Sequence, residues 1–368
     1  MYFHTLVSQL ETLQIRRDAV RDADREQLRG LADWVRLGLA HESFALDCME
    51  LELSALGSRR GPLDLAPFFV VPRWNVEMAF AYWAPGREIG AHQHASWSVT
   101  GVFHNELEII SYDVEAAEER RLLQKKRIYR AHRGLVGAIP QGGIHAPRNP
   151  TPRWSMSLHV SAPEPPPSWD ARALRSPVVG LEKGHPVEPQ EDGPLGEFAR
   201  QYQRQSIYRV HLDVLGRFSS SRAERLVDAI YNRGDDETRR RAALVLHRLG
   251  GELGRRRFRE VCARELSEDT ELTRRFRDLT LSVRTSRDRA ELLAEHDGRR
   301  RLLLRVSAAA APALEMVARR STFRLRELPG DISASELRGL GQNLLELGLF
   351  RPIVSGPMRV PARALEEA

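Results

Sequence analysis

The sequence WAPGREIGAHQH, from Trp83 to His94, contains two histidines separated by one residue. Alternate side chains of a β-strand point to the same face, so His92 and His94 are predicted to reach one point. A second stretch, GLVGAIPQGGIHAPRN from Gly134 to Asn149, supplies a third imidazole, His145, from a strand bounded by Pro and Gly turns. Three neutral imidazoles around one cation leave coordination positions open for chemistry. The three histidines are therefore predicted metal ligands.

These two stretches resemble the two motifs of the cupin superfamily. The second matches the pattern G-x5-P-x-G-x2-H-x3-N without a gap. The first lacks the Glu ligand that commonly follows H-x-H, because residues 95–99 read ASWSV. A cupin with three His and no Glu is similar to the thiol dioxygenases, the group of cysteine dioxygenase and 3-mercaptopropionate dioxygenase. The spacing from Trp83 to His92 and the strand SLHVSAP from Ser157 to Pro163 agree with this resemblance, which covers residues 5–165.

The resemblance implies a non-haem Fe(II) cofactor, with O2 as co-substrate and a small or peptide-borne thiol oxidised to a sulfinate. Imidazole ligands alone suit Fe, Zn, Ni and Cu, so the choice of iron comes from the resemblance. It also implies that Ser157 and His159 form a hydrogen-bonded relay beside the metal. An Arg binds the substrate carboxylate in the family, and Arg73 is the candidate here, with Arg87 as the alternative.

Two departures from the family bear on the substrate. Ser161 stands where the family relay has a Tyr, and Ser98 or Val99 stands where some members have a Cys that cross-links to that Tyr. Tyr82 and Tyr112 are the candidates for a replacement phenol. The missing Tyr also keeps other cupin chemistry open, namely a hydroxylase, an isomerase or a zinc-dependent hydrolase.

The hydrophobic pattern predicts a multidomain α+β fold. Residues 6–54 carry helical periodicity, whereas many short strands with Gly and Pro turns follow from Pro67 and predict a jelly-roll-like cupin β-barrel. The segment 155–161 alternates strictly and places Ser155, Ser157, His159 and Ser161 on one face. Such a polar inner row needs hydrogen-bond partners, which a metal with waters or a substrate would provide.

The predicted domains are an N-terminal helical and cupin domain over 1–165, a linker over 166–196, a helical domain over 197–297 and a winged-helix-like domain over 298–368. The segment 222–283 is predicted to form three or four packed helices. Capping-box patterns at Ser221–Glu224 and Ser333–Glu336 predict helix starts, the second opening a helix over 334–347. A final strand is predicted over 350–354. The winged-helix resemblance is one of topology.

Charge and hydropathy indicate which classes of binding partner the protein is expected to have. Net charge is +6, but most Arg lie beside Glu and Asp in helical patterns, which favours solvated helix faces over a nucleic-acid surface. The helix over 334–347 offers only Arg338, Gln342 and Asn343 to DNA bases, so a ligand-sensing regulator that binds DNA ranks below an enzyme. No apolar run approaches the ~20 residues of a membrane span. We expect a cytoplasmic enzyme whose C-terminal region docks a peptide or protein substrate.

Overall fold

The structure is a computed structural model that describes residues 4–59, 63, 65–117, 120–162, 178–179, 193–262, 266–296 and 299–353. The chain divides into two compact units, residues 1–188 and 189–368. Both units combine helices with antiparallel sheets, so the predicted α+β class is confirmed. Most of the predicted linker, residues 166–196, lies outside the described residues. No helix within the described ranges is both long enough and apolar enough to cross a membrane.

Three helices open the first unit: α1 (His4–Thr12), α2 (Arg25–Leu39) and α3 (Glu42–Ser58). Helix α2 begins at Asp24, whose carboxylate accepts the backbone N–H of Gln27 while the Gln27 side chain accepts the N–H of Asp24. The predicted apolar stripes of this region are buried, since Leu6, Leu10 and Leu31 have no exposed surface. Helical periodicity therefore predicted this part of the fold correctly.

Two five-stranded sheets follow in the first unit. The first has the order β1-β2-β9-β4-β7 and is antiparallel, and the second has the order β10-β6-β5-β8-β3. Among the described strands of the second sheet, β10 pairs parallel with β6 and the other neighbours pair antiparallel. The strands are β1 (Pro67–Val71), β2 (Val76–Trp83), β3 (His92–Gln93), β4 (Ser98–His104), β5 (Glu106–Ala117), β6 (Arg120–His132), β7 (Val136–Ile139), β8 (Ile144–Arg148), β9 (Ser155–Ser161) and β10 (Val178–Val179).

The alternating pattern of β9 separates two faces of the first sheet. Met156, Leu158 and Val160 are fully buried on its outer face. On the same sheet, Gly101 of β4 allows α2 to approach closely, because a Cβ at this position would come within 2.6 Å of the Leu39 side chain. The inner face contributes to a cluster that includes side chains of both sheets: Ala81, Trp83, Ile89, Val102 and Leu107, with Leu65, Ile109 and Ala131 packed against it. The cluster marks the space between the sheets.

The second unit begins with four helices: α4 (Gly193–Leu215), α5 (Ser221–Arg233), α6 (Asp236–Leu249) and α7 (Glu252–Cys262). The cap of α5 differs by one residue from the prediction. Ser220, rather than Ser221, is the N-cap and accepts the backbone N–H of Ala223. The shift reflects the SSSR sequence, because adjacent serines are equally good N-cap residues, although only Ser221 has a Glu three positions later.

Strands replace the last helix predicted within 222–283. The chain forms β11 (Glu271–Arg274), β12 (Thr280–Thr285), β13 (Arg289–His296) and β14 (Arg299–Ser307). The sequence TLSVRT of β12 alternates polar and apolar residues with period two, so the helical interpretation of this part is wrong. The predicted domain boundary, at residues 297 and 298, lies outside the described residues, and the strands on either side of it, β13 and β14, pair antiparallel.

The unit ends with α8 (Ala311–Arg319), β15 (Thr322–Arg324), α9 (Ala334–Glu346) and β16 (Phe350–Pro352). The capping box that opens α9 is present, because Ser333 and Glu336 exchange hydrogen bonds as predicted. Strands β15, β11 and β16 form one small sheet, and β12, β13 and β14 form another. One hydrophobic core contains residues from α4, both sheets, α8 and α9. The winged-helix interpretation stays a prediction, and Val354 of the predicted last strand lies outside the described residues.

Candidate metal centre

Strands β3 and β8 bring the two histidine motifs together. They pair antiparallel, with His92 directly opposite His145. The turn before β8 holds His94 in place, because the His94 N–H donates to the Gly143 carbonyl at 3.2 Å and the Gly142 N–H donates to the His94 carbonyl at 2.9 Å. Gly142 adopts φ +75°, a backbone conformation that glycine permits without strain. The PQGG turn therefore serves to place the third imidazole beside the first two.

The three rings form a compact group of nitrogen donors. One ring nitrogen from each of His92, His94 and His145 lies within 4.8 Å of the others, and all three residues are buried. The His92 Nδ1 lies 3.0 Å from the Gly90 carbonyl. Since a carbonyl only accepts, Nδ1 carries the proton and Nε2 presents its lone pair to the group. No carboxylate belongs to this group among the residues that the structure describes.

A cluster of three neutral imidazoles fits a first-row transition metal. Oxygen-preferring ions such as Mg²⁺ and Ca²⁺ need carboxylate or carbonyl ligands, whereas imidazole suits Fe, Zn, Ni and Cu. The donor set and the fixed tautomer of His92 therefore match the predicted metal site. His92, His94 and His145 would hold the ion.

The polar row of β9 faces the same inner space as the histidines. Ser157 lies directly opposite Val102, a member of the inner cluster. On the second sheet, His145 lies opposite Ser111, which is two residues from Ile109 on the inner side of β5. Because residues two apart in a strand share a face, Ser157 and His145 both point between the sheets.

The predicted relay forms a chain of hydrogen bonds. The Trp83 indole N–H donates to the Ser157 hydroxyl at 2.9 Å, and that hydroxyl lies 2.9 Å from His159 Nε2. On its other side, His159 Nδ1 lies 3.2 Å from the Thr100 hydroxyl, which lies 3.4 Å from that of Ser98. Two hydroxyls thus hold the His159 ring at both nitrogens. Ser157 and His159 are predictable from the sequence, whereas Thr100 is not, because only strand pairing places Thr100 opposite His159.

The two predicted carboxylate-binding arginines occupy different surroundings. Arg73 is exposed in the turn between β1 and β2, with φ +72°. Arg87 is partly buried, donates to the Tyr82 carbonyl at 2.8 Å and places its guanidinium 5.8 Å from the Trp83 ring centre. Arg87 therefore supports the strand that ends at Trp83, and a substrate role for Arg73 stays a prediction.

Neither tyrosine suggested as the missing phenol faces the inner space. The Tyr82 hydroxyl donates to the Glu52 carboxylate at 3.0 Å on the outer side of the first sheet. Tyr112 packs against a cluster that contains Ile110 and Ile144, which lies on the opposite side of the second sheet from Ile109. The tyrosine that does lie on the inner side of β6 is Tyr129, directly opposite Ile109.

Asn149 ends the second motif, and its side chain shapes the turn that follows. Its amide donates to the carbonyls of Trp83 at 2.9 Å and Arg153 at 2.7 Å. Its side-chain oxygen accepts the backbone N–H of Thr151 at 3.0 Å. These bonds tie the end of β2 to the segment that leads into β9, so Asn149 fixes the strands that present the relay.

The sequence matches no known family model and no curated protein. Among solved structures, the chain is similar to the DMSP lyase DddQ from Ruegeria pomeroyi, with 20% identity and a TM-score of 0.19 over 24% of this chain and 38% of that chain. It is also similar to a cupin superfamily protein from Desulfitobacterium hafniense, with 14% identity and a TM-score of 0.19 over 24% of this chain and 66% of that chain.

A third similar structure is hydroquinone 1,2-dioxygenase PnpCD in complex with Cd2+ and 4-hydroxybenzonitrile. It shares 11% identity, with a TM-score of 0.23 over 30% of this chain and 71% of that chain. The chain thus spans less than two thirds of the lengths of the lyase and of the cupin protein.

Proposed function

We propose that the first unit is an Fe(II)-dependent dioxygenase of the cupin fold that oxidises a thiol to a sulfinate. The observation that carries this proposal is the buried group of His92, His94 and His145, in which no described carboxylate takes part. An iron bound there would supply open coordination positions at which a thiolate and O2 meet. The resemblance of both motifs to the thiol dioxygenases supports iron and a thiol.

The protein's own side chains would position the reactants. Ser157 and Thr100 hold the His159 ring at both nitrogens, so this chain of hydroxyls gives His159 a route along which a proton can move. We propose that His159 and Ser157 orient the substrate and accept or return its proton. The inner cluster around Trp83 and Leu107 would limit the access of water to the part of the site that contains Ser157.

The second unit extends the proposal. Among its described residues, no three metal-ligating side chains lie close enough together to hold one ion. We propose that residues 189–368 dock a larger, peptide-borne substrate, so the full chain should turn over a Cys-containing peptide faster than free cysteine at equal concentration.

The test is O2 uptake by anaerobically purified, iron-loaded protein with cysteine, cysteamine, 3-mercaptopropionate and a Cys-containing peptide. The proposal predicts thiol-dependent uptake of one O2 for each sulfinate, with the product identified by mass spectrometry. Bound iron with no O2 uptake in the presence of any of these thiols would contradict the thiol reaction. It would favour a cupin oxygenase whose substrate lacks sulfur. Zinc in place of iron would favour hydrolytic chemistry.

A further inference from the structure

A row of directly opposed residues crosses the second sheet through the metal group. His92 pairs with His145, His145 with Ser111, and Ser111 with Arg127 of β6. Directly opposed residues of antiparallel strands share a face, so Arg127 lies on the inner side with the histidines. Neighbouring strands are about 4.8 Å apart, which places the Arg127 backbone roughly 10 Å from that of His145.

Arg127 differs from the other arginine considered on this strand in its lack of an acidic partner among the described residues. Within the described ranges, no carboxylate forms an ion pair with Arg127. Its guanidinium instead lies 5.6 Å from the Tyr129 ring centre, and one Nη donates to the Tyr129 hydroxyl at 3.4 Å. Both side chains are exposed, with Tyr129 at 46%. Since both lie on the inner side of β6, the space between the sheets opens to solvent along this strand.

Arg130 on the same strand shows the contrast. It lies directly opposite Glu108, on the other face of the sheet from Arg127. Its guanidinium is 3.7 Å from the Glu108 carboxylate and 3.9 Å from that of Glu106. Arg130 therefore has acidic partners on the outer side. Arg127 lies on the same side of the sheet as the metal group, and no described carboxylate pairs with its charge.

We infer that Arg127 determines substrate specificity by binding an anionic group of the substrate, such as a carboxylate, while the thiol of the same molecule reaches the metal group. This inference rests on the proposed function and assigns the role to β6 instead of the turn that holds Arg73. A guanidinium binds a carboxylate through two parallel N–H bonds, which fixes the orientation of the substrate as well as its affinity. Tyr129 holds the guanidinium at the opening.

The test compares Arg127→Gln, Arg127→Lys and the matched control Arg130→Gln in the full, iron-loaded chain. Calorimetry under anaerobic conditions measures the Kd of 3-mercaptopropionate, of cysteamine and of the sulfur-free acid succinate. Steady-state O2 uptake measures KM and kcat, and elemental analysis confirms equal iron in all variants. Losing a charge-assisted hydrogen-bond pair should weaken binding about 10- to 100-fold.

We expect that increase in Kd and KM for 3-mercaptopropionate in Arg127→Gln, with a smaller increase in Arg127→Lys. Cysteamine, which has no anionic group, should bind all variants equally, and Arg130→Gln should match wild type. Equal binding and kinetics in Arg127→Gln and Arg130→Gln would overturn the inference. That result is expected if the charge of Arg127 serves only to prevent aggregation through the strand edge. A wild-type protein that binds neither acid would also overturn it. If the protein turns over no thiol but binds succinate in a way that depends on Arg127, the anion-binding role of Arg127 is supported and the proposed thiol reaction is refuted.

Discussion

Glu52 of α3 shows how a single residue ties the N-terminal helices to the sheet that presents the relay. Its carboxylate is fully buried and accepts hydrogen bonds from the Arg59 guanidinium at 2.9 Å and the Tyr82 hydroxyl at 3.0 Å. Removing one partner of a buried ion pair leaves the other charge unpaired, which is strongly destabilising. Glu52→Ala should lower the free energy of unfolding by roughly 3 kcal/mol.

The measurement is urea unfolding followed by tryptophan fluorescence. Glu50→Ala, an exposed carboxylate on the same helix, is the control and should change stability by less than about 0.5 kcal/mol. Equal effects of the two substitutions would show that the buried contacts with Arg59 and Tyr82 add nothing.

At the residue scale, sequence could identify the side chains whose spacing carries the chemistry. The H-x-H pair and the PQGGIH turn predicted a metal group, and the structure brings His92, His94 and His145 together. Thr100 and Arg127 could not be identified from the sequence, because strand register determines where they lie relative to the histidines. Pairings between residues tens of positions apart set that register, and no local pattern records them.

At the scale of elements, α4 contains a buried histidine whose protonation is linked to folding. Burial lowers the pKa of His211 to about 3, from an ordinary histidine value near 6.5. The unfolded chain therefore binds more protons than the folded chain between these values, so stability is greatest above pH 6.5 and falls as the pH drops. The loss should approach 1.4 kcal/mol per pH unit between about pH 6 and pH 4.

This pH dependence can be measured from urea midpoints at pH 7, 6 and 5 by far-UV ellipticity. All six Trp lie within residues 34–169, so tryptophan fluorescence follows the first unit and the ellipticity adds the helices of the second. His211→Leu should flatten the ellipticity dependence, while His247→Gln, at an exposed ring stacked on Phe258, should not. Identical slopes in wild type and His211→Leu would contradict the linkage.

The elements themselves were predictable where their periodicity was long and regular. The stripes of α2 and the strict alternation of β9 predicted both elements correctly. The strands β11 and β12 were misread as helices because they are short, with 4 and 6 residues, and follow a run of genuine helices. A short segment offers too few turns or alternations for period 3.6 and period 2 to be separated.

For the molecule as a whole, the proposed function depends on a metal that three histidines of the first unit would hold. The most direct measurement is the metal content of the anaerobically purified full chain, compared among wild type, His145→Ala and His132→Ala. His132 is an exposed histidine that lies 3.1 Å from the Glu106 carboxylate, so its removal controls for the loss of an imidazole. We predict close to one iron per chain in wild type and His132→Ala and almost none in His145→Ala, with the fluorescence of the folded protein kept. Full metal occupancy in His145→Ala, or a wild-type chain that binds no metal, would contradict the account.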